Sequence, residues 1–63
     1  MREFLREKRK EKGLSLKAVS QEVGINEFSY CNIELGRRNP SVKVAKKIAN
    51  VLGLDWTRFY EEE

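Results

Sequence analysis

Four glycines divide this chain into short segments, and each glycine follows a stretch whose apolar residues recur at spacings of three and four. That spacing is typical of amphipathic helices, and a glycine just past the last apolar residue is a common helix end because it tolerates a positive φ angle. The pattern therefore predicts short helices that end at Gly13, Gly24, Gly36 and Gly53. No segment shows the alternation of a strand, so the predicted fold class is all-α.

Five short helices fit this division of the chain. The first covers residues 2–12, and the others follow Ser15, Asn26, Ser41 and Asp55, whose short polar side chains can cap a helix N-terminus. We expect one domain over residues 1–63, folded as a compact bundle, with its third helix over about residues 26–35. The acidic tail at residues 61–63 is expected to fray in solvent.

Composition excludes several classes of protein. At 63 residues, one hydrophobic core only just suffices without disulfides or metal ions. One cysteine and no histidine rule out an intramolecular disulfide and the usual zinc clusters within one chain. Because Cys31 has no partner base, we predict no catalytic residue, no metal and no cofactor, and we do not expect an enzyme. The N-terminal residues lack the long apolar region of a signal peptide, and no apolar run has the length of a membrane span. We therefore expect a cytoplasmic protein.

The charges are unevenly distributed along the chain. Residues 36–50 contain five basic residues and no acidic one, and residues 1–12 contain six basic and three acidic residues. The centre, residues 13–35, is mildly acidic. Two basic blocks that meet in the fold would form one positive surface of the kind that binds nucleic acid. For any single lysine, a solvated helix face is the simpler interpretation.

The second and third predicted helices have the spacing of a helix-turn-helix unit over about residues 15–35. In that unit a glycine turn joins two short helices, and the second helix enters the major groove of DNA. The positions that must face inward are apolar or aromatic here. They are Val19, Val23, Ile25, Tyr30 and Ile33.

Several motifs at fixed separations carry a family resemblance. They are Gly13-Leu14-Ser15, Gly24, Ile33-Glu34-Leu35-Gly36, Arg37-Arg38-Asn39-Pro40-Ser41 and Ile48-Ala49-Asn50-Val51-Leu52-Gly53. With them, the chain resembles the lambda-repressor/Cro family of helix-turn-helix regulators, also called the XRE family. The resemblance implies a five-helix domain of bacterial or phage origin that binds double-stranded DNA and regulates transcription, in most cases as a repressor. It also implies a weak homodimer on a near-palindromic operator, with no small-molecule ligand and no membrane contact.

The resemblance assigns base contacts to three residues of the third helix, Glu27, Phe28 and Asn32. Asn bonds bidentately to adenine, Glu accepts from the amino group of cytosine, and Phe packs on the methyl group of thymine. For Glu27 and Phe28, a solvated acid and a partly buried aromatic are the competing interpretation. Cys31 on the same helix is interpreted as a small, half-exposed residue rather than a redox switch.

Phosphate contacts are expected from residues at helix starts and in the basic loop, because these contacts supply most of the affinity for DNA. The predicted residues are Ser15, Lys17, Arg37, Arg38, Asn39 and Lys43. Lys46 and Lys47 are expected to be solvated. Arg9 matches the family's arginine that pairs with the glutamate of the third helix, here Glu34, and two unrelated surface charges are the alternative.

Tyr30 replaces an aliphatic inner residue of the family, so we expect local repacking, with a partner or solvent for its hydroxyl.

A second hypothesis is favoured by Leu16, which stands where the family usually has a phosphate-contacting glutamine, and by the acidic and aromatic character of the third helix. The third helix also lacks basic residues. The alternative function is therefore a protein-interaction module that keeps the fold but has lost DNA binding.

Overall fold

Every regular element in the computed structural model, which describes residues 2–60, is helical. Four α-helices are followed by a short 3₁₀ helix: α1 (Glu3–Glu11), α2 (Leu16–Val23), α3 (Glu27–Glu34), α4 (Val42–Leu52) and the 3₁₀ helix (Trp56–Tyr60). The predicted all-α class is confirmed. The acidic tail predicted at residues 61–63 lies outside the described residues.

Side-chain caps start three of the four α-helices. The oxygens of Ser15, Asn26 and Ser41 accept hydrogen bonds from the backbone N–H three residues further on, at 3.0, 2.7 and 3.2 Å. These bonds satisfy backbone donors that have no partner inside the helix. The three predicted caps are confirmed, whereas α1 begins at Glu3 without a side-chain cap.

The prediction of a fifth α-helix is wrong, because Trp56–Tyr60 form a five-residue 3₁₀ helix. Asp55 accepts two bonds from Thr57, one from its backbone N–H at 3.0 Å and one from its hydroxyl at 2.9 Å, which tightens the first turn. Aromatic and β-branched residues also have weak helix propensity, and the segment is too short to offset it.

One hydrophobic core joins all five elements. Helix α2 packs against α3 and α4, α1 contacts the same two helices, and the 3₁₀ helix packs on α4. The core residues are Leu5, Val19, Val23, Tyr30, Ile33, Ala45, Ile48, Leu52 and Phe59. The rings of Phe4 in α1 and Phe59 meet in a T-shaped arrangement, with centroids 5.6 Å apart. Helix α1 therefore packs beside α3 and α4 and the 3₁₀ helix beside α4, while Glu27 and Phe28 of α3 are exposed.

Candidate nucleic-acid interface

The turn between α2 and α3 is fixed by glycine and by two hydrogen bonds. Gly24 has a φ of 90°, a conformation in which any side chain would be strained. The N–H groups of Gly24 and Ile25 both donate to the carbonyl of Ser20, at 2.8 and 3.1 Å. Helix α3 then begins after the Asn26 cap, so its position relative to α2 is set locally.

The inner face of α3 is fully buried. Tyr30 and Ile33 pack with Val19 and Val23 of α2, and Tyr30 is 0% exposed. The Tyr30 hydroxyl has no hydrogen-bond partner among residues 2–60, although the sequence predicted that it would find one or reach solvent. Burial, and then the neighbouring negative charge of Glu34, raise the pKa of Tyr30. Its hydroxyl is therefore held in the neutral form.

Arg9 and Glu34 form a bidentate ion pair between α1 and α3, the pairing that the family resemblance implies. Arg9 Nε and Nη2 donate to the two carboxylate oxygens of Glu34, each at 3.0 Å, and Nη1 donates to the carbonyl of Leu14 at 3.1 Å. The side chains are only 13% and 6% exposed. The hydrogen bond to Glu34 raises the pKa of Arg9. This pair holds α3 against α1 and the turn after it.

The predicted base-contacting residues lie on the outer face of α3. Glu27 and Phe28 are exposed, and Phe28 is 76% exposed, the largest fraction among the large apolar residues of the described chain. Asn32 is half-buried, and its side-chain nitrogen donates to the carbonyl of Phe28 at 3.1 Å. The amide oxygen and the second amide hydrogen of Asn32 are left for a further partner.

The predicted phosphate-contacting residues are all exposed. Ser15 and Lys17 lie at the start of α2, Lys43 lies in the first turn of α4, and the other three belong to the α3–α4 loop, residues 35–41. The loop borders a cleft of about 340 Å³ whose apolar floor includes Ile25 and Val44. Arg38 and Asn39 line this cleft next to Ser29 of α3. The loop residues Arg38 and Asn39 therefore share a cleft with Ser29 and Ile33 of α3.

Arg2 is the residue that the sequence analysis missed. Its Nη1 donates to the carbonyls of Ile33 and Arg38 at 2.7 and 3.1 Å, and its Nη2 donates to Asn39 Oδ1 at 2.6 Å. These partners are 31 to 37 residues away along the chain. No spacing rule links such positions, so the sequence showed Arg2 only as one basic residue of the first predicted helix.

Aromatic residues of the 3₁₀ helix also contact their surroundings. The Tyr60 hydroxyl donates to the carbonyl of Pro40 at 2.9 Å. Lys46 is exposed, as expected, and its Nζ also lies 5.1 Å from the centre of the Trp56 ring, a cation–π contact. Trp56 and Tyr60 meet edge to face at 6.1 Å.

Neither a metal site nor a membrane span is found in the described part of the chain. Residues 2–60 contain no group of three or more acidic or cysteine side chains placed to hold an ion. None of their helices has both the length and the apolar character needed to cross a bilayer.

Comparisons with known proteins agree with this geometry. A helix-turn-helix family model matches residues 5–59. An uncharacterised HTH-type transcriptional regulator of Bacillus subtilis, YqaF, is 45% identical over 98% of this chain and 82% of its own length. An uncharacterised HTH-type transcriptional regulator of Methanothermobacter thermautotrophicus is 40% identical over 84% of this chain and 77% of its own length.

A solved structure supports the same assignment. The N-terminal DNA-binding domain of SinR from Bacillus subtilis superposes with a TM-score of 0.82 and 27% identity, over 97% of this chain and 90% of that chain. The family match covers most of this chain, including α2, the glycine turn and α3. The chain therefore belongs to the XRE type of the helix-turn-helix family.

Proposed function

We propose that this protein is a sequence-specific DNA-binding transcriptional regulator that places α3 in the major groove. One observation carries the proposal. Helix α3 buries one face against α2, while Glu27 and Phe28 stand exposed on the other face, and Arg38 and Asn39 of the α3–α4 loop line a cleft with Ser29 of the same helix. A helix held in this way can enter a groove about 12 Å wide without changing the fold.

In this proposal the bases are contacted by Glu27, Phe28 and Asn32. Asn32 offers its amide oxygen and one hydrogen to adenine, Glu27 accepts from the amino group of cytosine, and Phe28 packs on the methyl group of thymine. The hydrogen bond from Asn32 to the carbonyl of Phe28 supports this role, because it limits the rotamers of the amide before DNA arrives.

Affinity is assigned to the residues around α3, since α3 itself has two acidic residues and no basic one. Phosphate contacts by Arg37, Arg38 and Asn39, together with the starts of α2 and α4, supply the sequence-independent part of binding. Ser15, Lys17 and Lys43 are the corresponding residues at those two helix starts. This division predicts that charge changes in the loop affect all DNA sequences alike.

We further propose that the protein is a cytoplasmic repressor that acts by occupying its operator. It would bind a near-palindromic site as a weak homodimer. Two half-sites about one helical turn apart would multiply the specificity of so small a module. The half-exposed Tyr60 and Trp56 give the 3₁₀ helix an apolar surface for a second copy. The alternative, a protein-interaction module without DNA binding, is favoured by the acidic and aromatic character of α3.

Selection of bound duplexes from a random DNA pool tests the proposed function. We expect a recurring, near-palindromic site to be enriched over successive rounds, and its half-site spacing to be about 10 base pairs. A pool that shows no enrichment, together with no retention of any duplex at low salt, would refute DNA binding and support the alternative.

A further inference from the structure

The α3–α4 loop is held by two residues from opposite ends of the described chain. The guanidinium of Arg2 binds the carbonyl of Arg38 at 3.1 Å and Asn39 Oδ1 at 2.6 Å. On the other side, the hydroxyl of Tyr60 binds the carbonyl of Pro40 at 2.9 Å. Three successive residues of the loop are thus tied to groups outside it.

Arg2 also completes the end of α3. The N–H groups of Gly36 and Arg37 close the helix in the usual way, on the carbonyls of Ile33 and Asn32 at 3.1 and 2.9 Å. The carbonyl of Glu34 would remain without a partner, and the backbone N–H of Arg2 binds it at 2.8 Å. The guanidinium adds a positive charge at this helix C-terminus, where it is favoured.

Aromatic contacts fix the two residues themselves. The Arg2 guanidinium carbon lies 5.7 Å from the centre of the buried Phe59 ring. Tyr60 rests edge to face on Trp56. Arg2 therefore contacts a buried ring of the core, and Tyr60 belongs to the 3₁₀ helix, so both donors connect the loop to the 3₁₀ helix.

We propose that Arg2 and Tyr60 are positioning residues for DNA binding, which hold the α3–α4 loop in the shape that brings Arg37, Arg38 and Asn39 to the phosphates. This inference rests on the proposed function. A loop residue that is ordered in the free protein does not lose conformational entropy when DNA binds. Loss of the two anchors should therefore weaken binding, although neither anchor contacts DNA.

The experiment measures the dissociation constant for a random-sequence duplex by fluorescence anisotropy over a range of salt concentrations. Arg2→Met should raise Kd about tenfold and Tyr60→Phe about threefold, with the wild-type salt slope in both cases. Arg38→Met, which removes a phosphate contact, should instead lower the slope by about one. Lys47→Met, a loss of one exposed charge on α4, controls for net charge and should bind as the wild type does.

Two results would overturn the inference. One is an unchanged Kd for both anchor variants. The other is a salt slope that falls by about one in Arg2→Met, because Arg2 would then be a phosphate contact itself. If Arg2→Met does not fold at the assay temperature, Tyr60→Phe alone decides, since it removes one oxygen and leaves the ring in place.

A measurement without DNA separates this inference from the proposed function. Backbone ¹⁵N relaxation of the free protein reports the order of the loop amides at residues 37, 38, 39 and 41. We expect lower order parameters at these amides in Arg2→Met and Tyr60→Phe than in the wild type. Unchanged order would refute the anchoring, whereas a wild type that binds no DNA would refute only the proposed function.

Discussion

Asn32 donates a hydrogen bond from its side-chain nitrogen to the backbone carbonyl of Phe28, one turn earlier in α3, at 3.1 Å. This bond fixes the amide on the outer face of the helix. The remaining oxygen and hydrogen are the pair that a bidentate contact with adenine requires. The base contact that we propose for Asn32 can therefore be separated by mutation from the phosphate contact that we propose for Arg38.

Asn32→Ala should relax sequence preference at one base pair per half-site, by about 1–3 kcal/mol, and leave random-sequence binding unchanged. Arg38→Ala should weaken every sequence and lower the salt slope by about one. Anisotropy titrations against a selected site, its single-base variants and a random duplex measure both effects. Equal losses on all sequences from both variants would contradict the assignment.

The Arg9–Glu34 ion pair should contribute far more to the free energy of unfolding than the exposed Lys8–Glu11 pair of α1. Arg9→Met leaves the carboxylate of Glu34 buried without its partner, which we expect to cost about 3–5 kcal/mol. Lys8→Met removes only the exposed contact of Lys8 with Glu11, at 3.6 Å, and should cost less than about 1 kcal/mol. Urea denaturation measures both.

A double variant checks the physical reason for this difference. In Arg9→Met/Glu34→Leu no charge is left unpaired, so its loss of unfolding free energy should be smaller than that of Arg9→Met alone. If the double variant loses as much as the two single changes added together, an unpaired buried charge is not the cause.

Tyr30→Phe should be neutral or stabilising by up to about 1 kcal/mol near pH 7, because it removes a buried hydroxyl that has no partner among the described residues. The pKa of Tyr30 is raised in the folded state, so the fold keeps this proton above pH 10, about where an unfolded tyrosine loses it. The free energy of unfolding is thus unaffected by this group below about pH 10 and falls as the pH rises further, because the unfolded chain then loses the proton that the folded state retains.

Thermal melts between pH 7 and 11 measure this alkaline loss. It should be smaller in Tyr30→Phe than in the wild type, because the variant has no buried hydroxyl whose proton is lost more readily in the unfolded chain. The same alkaline decline in wild type and Tyr30→Phe would show that the buried hydroxyl does not contribute.

Glu27 is expected to lower the affinity for DNA of any sequence and to raise the preference for cytosine at the contacted position. Glu27→Gln removes a negative charge from the face that we propose enters the groove, so binding to random DNA should tighten by about two- to threefold at low salt. Preference for cytosine at the contacted position should fall at the same time. The matched control is Glu22→Gln, an exposed acid on α2, which should change neither quantity. A gain of the same size from both variants would indicate a general charge effect.

Local chemistry explains which parts of this fold the sequence predicted. The caps at Ser15, Asn26 and Ser41 and the inward positions Val19 and Ile33 follow from short-range spacing. The last segment was predicted as an α-helix because its cap and apolar residues fit one, and the tight Asp55–Thr57 turn was not visible.

Long-range contacts account for the rest. The bonds of Arg2 to Ile33 and Asn39, and the bond of Tyr60 to Pro40, join residues 20 to 37 positions apart. They depend on how the ends of the chain pack over α3 and α4, which helical periodicity does not determine. The three proposed base-contacting positions come from the family resemblance, since spacing alone predicts only that they face outward.

The central claim, that α3 selects bases while the surrounding residues bind phosphates, is tested most directly by one titration. Wild-type protein is bound to its selected site and to a scrambled duplex at about 50 and 200 mM salt. We predict steep weakening on both duplexes, because several phosphates are contacted, and a preference of at least about 10³-fold for the selected site at the higher salt. A ratio near one, or no binding to either duplex at low salt, would contradict the claim.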